Sequence, residues 1–283
     1  MSWTVLEVLN WTTERFRRIG LESPRLDAEL LIAYALGWRR IDCYTRFDQP
    51  LSAAERTTVR TLVSRRLRHE PIALITEAKE FWSRPFSIKP GVLIPRPDTE
   101  TLVSAAIRLV NQHQLESICD VGTGTGCVAI TLAYECLSQT IVATDIEQTA
   151  LAVAKENLIA HRMADRITLC YCDLLPEDGR LFDLIVSNPP YIPSEAIPVL
   201  VPDITNWEPN TALDGGLDGL SVVRRLISAA ALRLNKSGYL LIELSPDQAG
   251  QVKNLSQQAG FSAISFHHDL GGRPRVIEAK LSR

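Results

Sequence analysis

Ser117-Ile118-Cys119-Asp120-Val121-Gly122-Thr123-Gly124-Thr125-Gly126 decides the fold of this chain. The first five residues are a short, mostly apolar run that stops at glycine, which reads as a buried strand. The glycines that follow form a loop, and Cys127 to Tyr134 carries the apolar content of a helix. Strand, glycine loop and helix in that order open an α/β unit. Its loop brings backbone close to a ligand at the helix N-terminus.

Working outward, the alternation continues. Thr140 to Thr144 is a strand ending at Asp145, Ala150 to Ala160 a helix, and Ile167 to Cys172 a strand ending at Asp173. Phe182 to Val186 is a fourth strand, and it runs into Ser187-Asn188-Pro189-Pro190-Tyr191. Alternating strands and helices predict an α/β, Rossmann-like parallel sheet with ligands along the carboxyl edge of its strands. Asp120, Asp145 and Asp173 all fall at that edge. The dinucleotide fingerprint needs a third glycine at 127, where Cys127 stands. A carboxylate at 120 repels a diphosphate and suits a cation. S-adenosylmethionine, with an ammonium and a sulfonium and no phosphate, fits better than NAD. Gly122, Thr123, Gly124, Thr125 and Gly126 then form the cofactor loop. Asp145 stands about 20 residues on, where such sheets hold ribose hydroxyls. Asp173 accepts from an adenine amino group, and Leu174 packs on the ring.

The prolines of the Asn188 turn cannot donate to a sheet ladder, so the fourth strand ends there. Asn188 is held extended by the proline after it. The turn offers a side-chain amide, free carbonyls and one aromatic face. Those groups suit a planar amide or amine nitrogen, whose delocalised lone pair makes it a poor nucleophile. The carbonyls of Asn188 and Pro189 accept from its N–H groups, and Tyr191 packs on its flat face. Catalysis here is positioning and electrostatics. Asn188, Pro189 and Tyr191 are the candidate catalytic residues, with Pro190 completing the substrate turn and Asn188 also touching the cofactor.

The remaining segments complete two domains. Residues 1 to about 70 read as a helical bundle. Leu6, Leu9, Phe16 and Ile19 recur before Gly20, and Leu26, Leu30, Leu31 and Tyr34 line a second helix from Ser23-Pro24 to Gly37. Ser52-Ala53-Ala54-Glu55 matches a capping box for a third. Residues 1–84 carry 14 basic and 11 acidic side chains, the remainder 16 and 22. Arg65, Arg66 and Arg68 complement the end of the third helix dipole or form a mildly basic docking face. Phe81-Trp82 and Phe86-Ser87-Ile88 pair as a hairpin. Pro95 to Glu100 is a stiff connector that walls the active site, with Thr99 or Asp98 capping the helix Leu102 to Val110. After a long loop at 193–219, Ser221 to Leu234 and Gln248 to Ala259 are helices. Gly238 to Leu244, Phe261 to Phe266 and Val276 to Leu281 are strands, giving a seven-stranded sheet with one antiparallel strand.

A formal net charge of −3 lowers the prior for a nucleic-acid partner. Six scattered cysteines without a Cys-x-x-Cys pair read as free thiols in a reducing compartment. No metal site is expected, the adjacent His267 and His268 facing opposite ways. No signal peptide and no membrane-spanning run is found, so a cytoplasmic, membrane-free protein is expected.

Asp120 to Gly126 followed by Asn188 to Tyr191 resembles class I S-adenosylmethionine-dependent methyltransferases that act on planar nitrogens. Three further stretches narrow the resemblance: Pro24-Arg25-Leu26-Asp27-Ala28-Glu29, Leu93-Ile94-Pro95-Arg96-Pro97-Asp98-Thr99-Glu100 and Asp269-Leu270-Gly271-Gly272-Arg273. Together they resemble the peptide chain release factor N5-glutamine methyltransferases, the PrmC/HemK family, over nearly the whole chain. The resemblance implies an N-terminal helical substrate-docking domain at 1–75, a linker with a hairpin at 76–100 and a methyltransferase domain at 101–283. It also implies methyl transfer from S-adenosyl-L-methionine, leaving S-adenosyl-L-homocysteine, to the glutamine of the Gly-Gly-Gln loop of class I release factors. The expected enzyme is a monomer with no stable nucleic-acid partner. Family members often carry an aromatic where Leu174 stands, so aliphatic packing on adenine is expected here. The competing readings are a DNA or other N-methyltransferase using the same Asn-Pro-Pro-Tyr turn, a nicotinamide dehydrogenase, and a binding module without activity.

Overall fold

The computed structural model of the protein describes residues 3–137 and 139–282. The chain divides into two units. One takes the chain up to Ala78 together with Val201–Trp207, and the other takes Lys79–Leu200 and Glu208–Arg283.

The first unit holds helices α1 (Val5–Arg18), α2 (Pro24–Leu36), α3 (Asp42–Thr45), α4 (Ala53–Arg66) and α5 (Ile72–Ile75). Thr4 and Glu7 form a capping box on α1, and Ser52 and Glu55 form the expected one on α4. Gly37 ends α2 at φ 65°. The buried faces differ from the ones the apolar spacing suggests. α1 buries Val5, Val8, Leu9, Thr12, Thr13 and Phe16, while Leu6 and Ile19 stay exposed. α2 buries Asp27 and Glu29 and exposes Leu26 and Tyr34. Ion pairs make this possible. Arg66 reaches Asp27 at 2.8 Å and Asp203 at 2.6 Å, and Arg25 reaches Glu29 at 2.8 Å. Arg65 pairs with Glu70 at 2.5 Å. Arg65 and Arg66 are therefore committed internally. Both stand in the last turn of α4, as the dipole reading expects, and their ion pairs leave little of them for a basic docking face.

The second unit opens inside the hairpin of β1 (Ala78–Phe81) and β2 (Arg84–Ser87), followed by helix α6 (Glu100–His113). The sheet strands and helices then alternate: β3 (Ser117–Val121), α7 (Cys127–Glu135), β4 (Thr140–Asp145), α8 (Gln148–Ala160), β5 (Ile167–Tyr171) and β6 (Phe182–Ser187). A short α9 (Pro202–Thr205) belongs to the first unit. α10 (Ser221–Arg233), β7 (Leu234–Glu243), α11 (Ala249–Gln258), β8 (Phe261–His268) and β9 (Pro274–Leu281) complete the chain. The seven strands lie in the order β5-β4-β3-β6-β7-β9-β8. β9 runs antiparallel to both neighbours, and the pairs from β5 to β7 are parallel.

Period-two alternation explains the two faces of this sheet. Cys119, Val121, Val142, Ile185, Leu240 and Ile242 share one core with Val223, Leu226 and Ile227 of α10 and Val252 of α11. Helices α6, α7 and α8 pack on the alternate residues. The chain leaves β3 toward β4 and β5, then returns to build β6 and β7 on the other side. The reversal opens a crevice at the carboxyl ends of β3 and β6. Val121 is paired with both Thr144 and Ser187, so the four parallel strands that carry the candidate residues end level with one another.

Candidate active site

At that level edge lies a cavity of about 430 Å³, within the range of small-ligand sites. Gly122, Gly124, Asp145, Asp173, Leu174, Asn188, Pro189 and Pro190 all line it. The structure thus gathers eight of the expected residues, contributed by four different strand ends, around one space.

The glycine loop shapes the floor. Gly122 and Gly124 adopt φ 71° and 57°, and a Cβ added at either would meet no atom within 4 Å. A side chain there would enter open space. Asp145 fastens the loop: its Oδ2 accepts from the Gly124 N–H at 2.9 Å and its Oδ1 from the Glu147 N–H at 2.9 Å. Burial holds this carboxyl above its ordinary range, while the two N–H donors pull it back down.

Asp120 takes a different place from the one its position suggests. It is fully buried and does not line the cavity. Its Oδ2 accepts from the Thr123 hydroxyl at 2.7 Å and from the Ala129 N–H at 3.2 Å. Burial pushes it up to about 7. Asp120 is a brace inside the glycine loop, and Thr123, Thr125 and Gly126 likewise stand behind the cavity wall. The charge argument survives with other residues. Among the described lining residues, the carboxylates of Asp145, Glu147, Asp173 and Asp214 meet a single guanidinium, Arg225, itself ion-paired to Asp173. A lining this acidic fits a cationic cofactor and disfavours a diphosphate.

Leu174 is held at φ 65°, a strained conformation for a branched side chain. The Thr144 hydroxyl donates to its carbonyl at 2.6 Å and keeps it there. Its side chain reaches both the core and the cavity.

Asn188 lies at the cavity with its Nδ2 donating to the Thr99 hydroxyl at 3.1 Å. Among the described residues, the carbonyl oxygen of its side chain has no protein partner. Tyr191 is outside the lining. Its carbonyl accepts from Gln248 Nε2 at 2.9 Å, and its hydroxyl points to the buried Glu243 at 3.5 Å. Thr99, expected as a helix cap, makes no cap hydrogen bond and instead backs Asn188.

Several lining residues carry no motif in the sequence: Gly91 and Val92, and Asn210 to Ala212 from the long loop. The hints of them were the proline-stiffened segment next to the motif and the length of the 193–219 loop, whose Pro209 and Asp214 also line the cavity. Glu208 beside that loop receives Arg96 and the Ile94 N–H, the latter at 3.4 Å, which ties the two lining segments together.

Comparison with known proteins now bears on this geometry. A family model described as the PrmC N-terminal domain matches residues 7–76, and one described as the methyltransferase small domain matches residues 99–201. The release factor glutamine methyltransferase of Rhodopirellula baltica is 40% identical, aligned over 97% of this chain and 95% of its own. The chain belongs to the release factor glutamine methyltransferase family. The member from Geobacter sulfurreducens is 38% identical over 99% of this chain and 97% of its own. Among solved structures, the 16S rRNA N2 G1207 methyltransferase of T. Thermophilus, in complex with AdoMet and guanosine, aligns with a TM-score of 0.53 at 18% identity. It spans 72% of this chain and 49% of that one, which supports the fold.

As a member of the release factor glutamine methyltransferases, the protein is an S-adenosylmethionine-dependent enzyme. The cavity fits that cofactor: open space over Gly122 and Gly124, the Asp145 carboxylate in the lining beside them, and an acidic lining overall. Among the described residues no helix is long and apolar enough to cross a membrane, and no group of three or more metal-ligating side chains occurs.

Proposed function

We propose that the protein methylates the side-chain amide nitrogen of the glutamine in the Gly-Gly-Gln loop of class I peptide chain release factors, acting as a cytoplasmic monomer. One observation carries this reading: Asn188 and Pro189 line the same cavity as Gly122, Gly124 and Asp145. Amide acceptors and a cofactor pocket share one space. The family of relatives supports the choice of protein substrate.

S-adenosylmethionine supplies an electrophilic methyl carbon when bound. Asp145 accepts from ribose hydroxyls, while Gly122 and Gly124 allow backbone approach. Leu174 gives an aliphatic wall for the base. Asp173 serves the adenine amino group only to the extent that Arg225 shares its carboxylate. The Asn188 side-chain oxygen and the Pro189 carbonyl accept the two N–H hydrogens of the glutamine amide, which turns the nitrogen lone pair toward the methyl carbon. Pro190 bounds the flat face of the amide, while Tyr191, outside the lining, supports the turn from behind. The methylated nitrogen is acidic enough to lose its extra proton to water without a dedicated base. The rate gain is orientation plus fixed dipoles.

Mass spectrometry of a purified class I release factor, incubated with the enzyme and S-adenosylmethionine, tests this. One added methyl group on the peptide containing Gly-Gly-Gln is expected. An unmodified peptide after many turnovers' worth of time would rule the substrate out.

A further inference from the structure

The long loop after the Asn-Pro-Pro-Tyr turn holds a feature that cofactor chemistry leaves unexplained. Leu217 is 91% exposed, although Gly215, Gly219 and Leu220 around it are buried. A single leucine on a surface is ordinary. This one stands on a turn built without slack.

The turn closes where the Gly219 N–H donates to the Gly216 carbonyl at 3.0 Å, which leaves Leu217 and Asp218 at its tip. Its three glycines have no room for a side chain. An added Cβ would lie 2.5 Å from the Gly219 carbonyl oxygen at Gly215, 2.1 Å from Ser221 Oγ at Gly216 and 2.3 Å from the Tyr191 carbonyl oxygen at Gly219. Asp218 fixes the far side, accepting from the Leu220 N–H and from Arg224 Nη1, both at 3.1 Å. Leu217 projects from this frame into solvent.

The frame is fastened to the Asn-Pro-Pro-Tyr turn. Gln248, buried just before α11, donates its Nε2 to the Tyr191 carbonyl at 2.9 Å and to the Gly219 carbonyl at 3.4 Å. The Ile192 N–H donates to the Leu213 carbonyl at 3.0 Å, and the Gly215 N–H to the Ile192 carbonyl at 2.9 Å. Asp214 lines the cavity, and its Oδ1 accepts from Ser194 Oγ at 2.7 Å and from the Gly216 N–H at 2.8 Å. The Ser194 N–H donates to the Gly216 carbonyl at 3.0 Å. The short 3-10 helix that Ser194 opens ends on a second outward apolar residue, Val199, 83% exposed.

This placement says what covers the leucine. Gly124, Asp145 and Asp173 reach the cavity from the loop after β3 and from the ends of β4 and β5, whereas the Leu217 frame hangs on the end of β6, at the amide-accepting turn. A free amide bound there touches the cavity alone. A polypeptide that inserts its glutamine lies across the rim, and Leu217 meets the residues flanking it. A rigid apolar tip has little conformational freedom left to lose on contact. We propose that Leu217 anchors the protein substrate, seated in an apolar depression of the release factor beside its Gly-Gly-Gln loop, with Val199 as a second contact. The inference rests on the reading of the release factor as methyl acceptor given above.

The test is steady-state kinetics on a purified release factor for the wild type, Leu217→Ser, Leu217→Met and Val199→Ser, beside calorimetric titration with S-adenosylmethionine and sedimentation velocity. Leu217→Ser should raise the KM for the release factor about 10- to 100-fold, the scale of one leucine side chain losing its burial. It should leave kcat and the Kd for S-adenosylmethionine within about twofold, because an anchor binds ground state and transition state alike. Leu217→Met should restore the wild-type KM, and Val199→Ser should raise it about threefold or more. A wild-type KM in Leu217→Ser overturns the proposal. A fall in kcat together with cofactor affinity also overturns it, since the leucine would then only shape the turn. A wild-type dimer that Leu217→Ser dissolves overturns it as well, with a second copy as the occupant. If the wild type leaves the release factor unmethylated, the reading of the substrate fails and this inference with it. If it methylates the factor and Leu217→Ser does so with the same KM, only the anchor fails.

Discussion

The backbone N–H of Gly124 donates to Asp145 Oδ2 at 2.9 Å, so the tip of the glycine loop is fastened to the end of the adjacent strand. The same carboxylate thus shapes the loop and lines the cavity. Asp145→Ala should raise the Kd for S-adenosylmethionine about 10- to 100-fold, the value of one or two hydrogen bonds to a charged group. Isothermal titration calorimetry reads it directly. An unchanged Kd would remove Asp145 from the cofactor site.

Gly219 supports the Asn-Pro-Pro-Tyr turn from outside the cavity. It adopts φ 72°, and an added Cβ would lie 2.3 Å from the Tyr191 carbonyl oxygen. Gly219→Ala must therefore displace the end of the Asn-Pro-Pro-Tyr turn. Turnover should drop about 10²-fold, as expected for an ångström-scale misplacement, with cofactor affinity little altered. Steady-state kinetics beside a binding isotherm distinguish the two. Equal losses in both would mean that the whole cavity has moved.

Asp120 makes stability depend on pH. Its carboxyl is raised from 3.8 to about 7 by burial. Between those values the folded protein holds a proton that the unfolded chain has released. This contribution is fully present below about pH 4 and is lost as pH rises through 7. Asp120→Asn is neutral throughout and retains an acceptor for Thr123 and Ala129. Urea unfolding of the two proteins should show the wild type losing ground to the variant from pH 4 to 7, with a constant difference above. A difference independent of pH would mean that Asp120 is ionised across the range.

Arg66 is buried between Asp27 and Asp203. Arg66→Ala strands two carboxylates, one of them in the core, and should cost about 3–5 kcal/mol. Chemical denaturation followed by circular dichroism checks it. A loss under about 1 kcal/mol would place the pair in the class of exposed ion pairs.

The sheet was legible because its central strands are buried on both faces. β3, β4 and β6 then appear as continuous apolar runs with turn residues at each end. The glycine loop and the Asn-Pro-Pro-Tyr turn were legible because their backbone demands are rare. The helical faces of α1 and α2 were harder. Ion pairs drew Asp27 and Glu29 inside and left Leu26 and Tyr34 outside, and partners 39 residues apart, such as Asp27 and Arg66, leave no local signal. The hairpin between β1 and β2 was found, yet its turn holds Trp82 and Ser83 at φ 51° and 57°. Such a turn ordinarily uses Asn-Gly. Tertiary partners hold it here, as Glu100 accepts from the Trp82 N–H at 2.9 Å. Glu243 was silent for the same reason: an acid at the end of an apolar strand says nothing about what stands behind it.

Val201–Trp207 has a consequence for modularity. This heptapeptide is encoded far downstream, yet it belongs to the unit formed by the first helices, and Asp203 within it takes the Arg66 guanidinium. Boundaries drawn along the sequence at 76 or 78 would cut through a cooperative body. A chimera that exchanges the amino-terminal helices between species must carry the heptapeptide with them, or it inherits an arginine with half of its counter-ions missing.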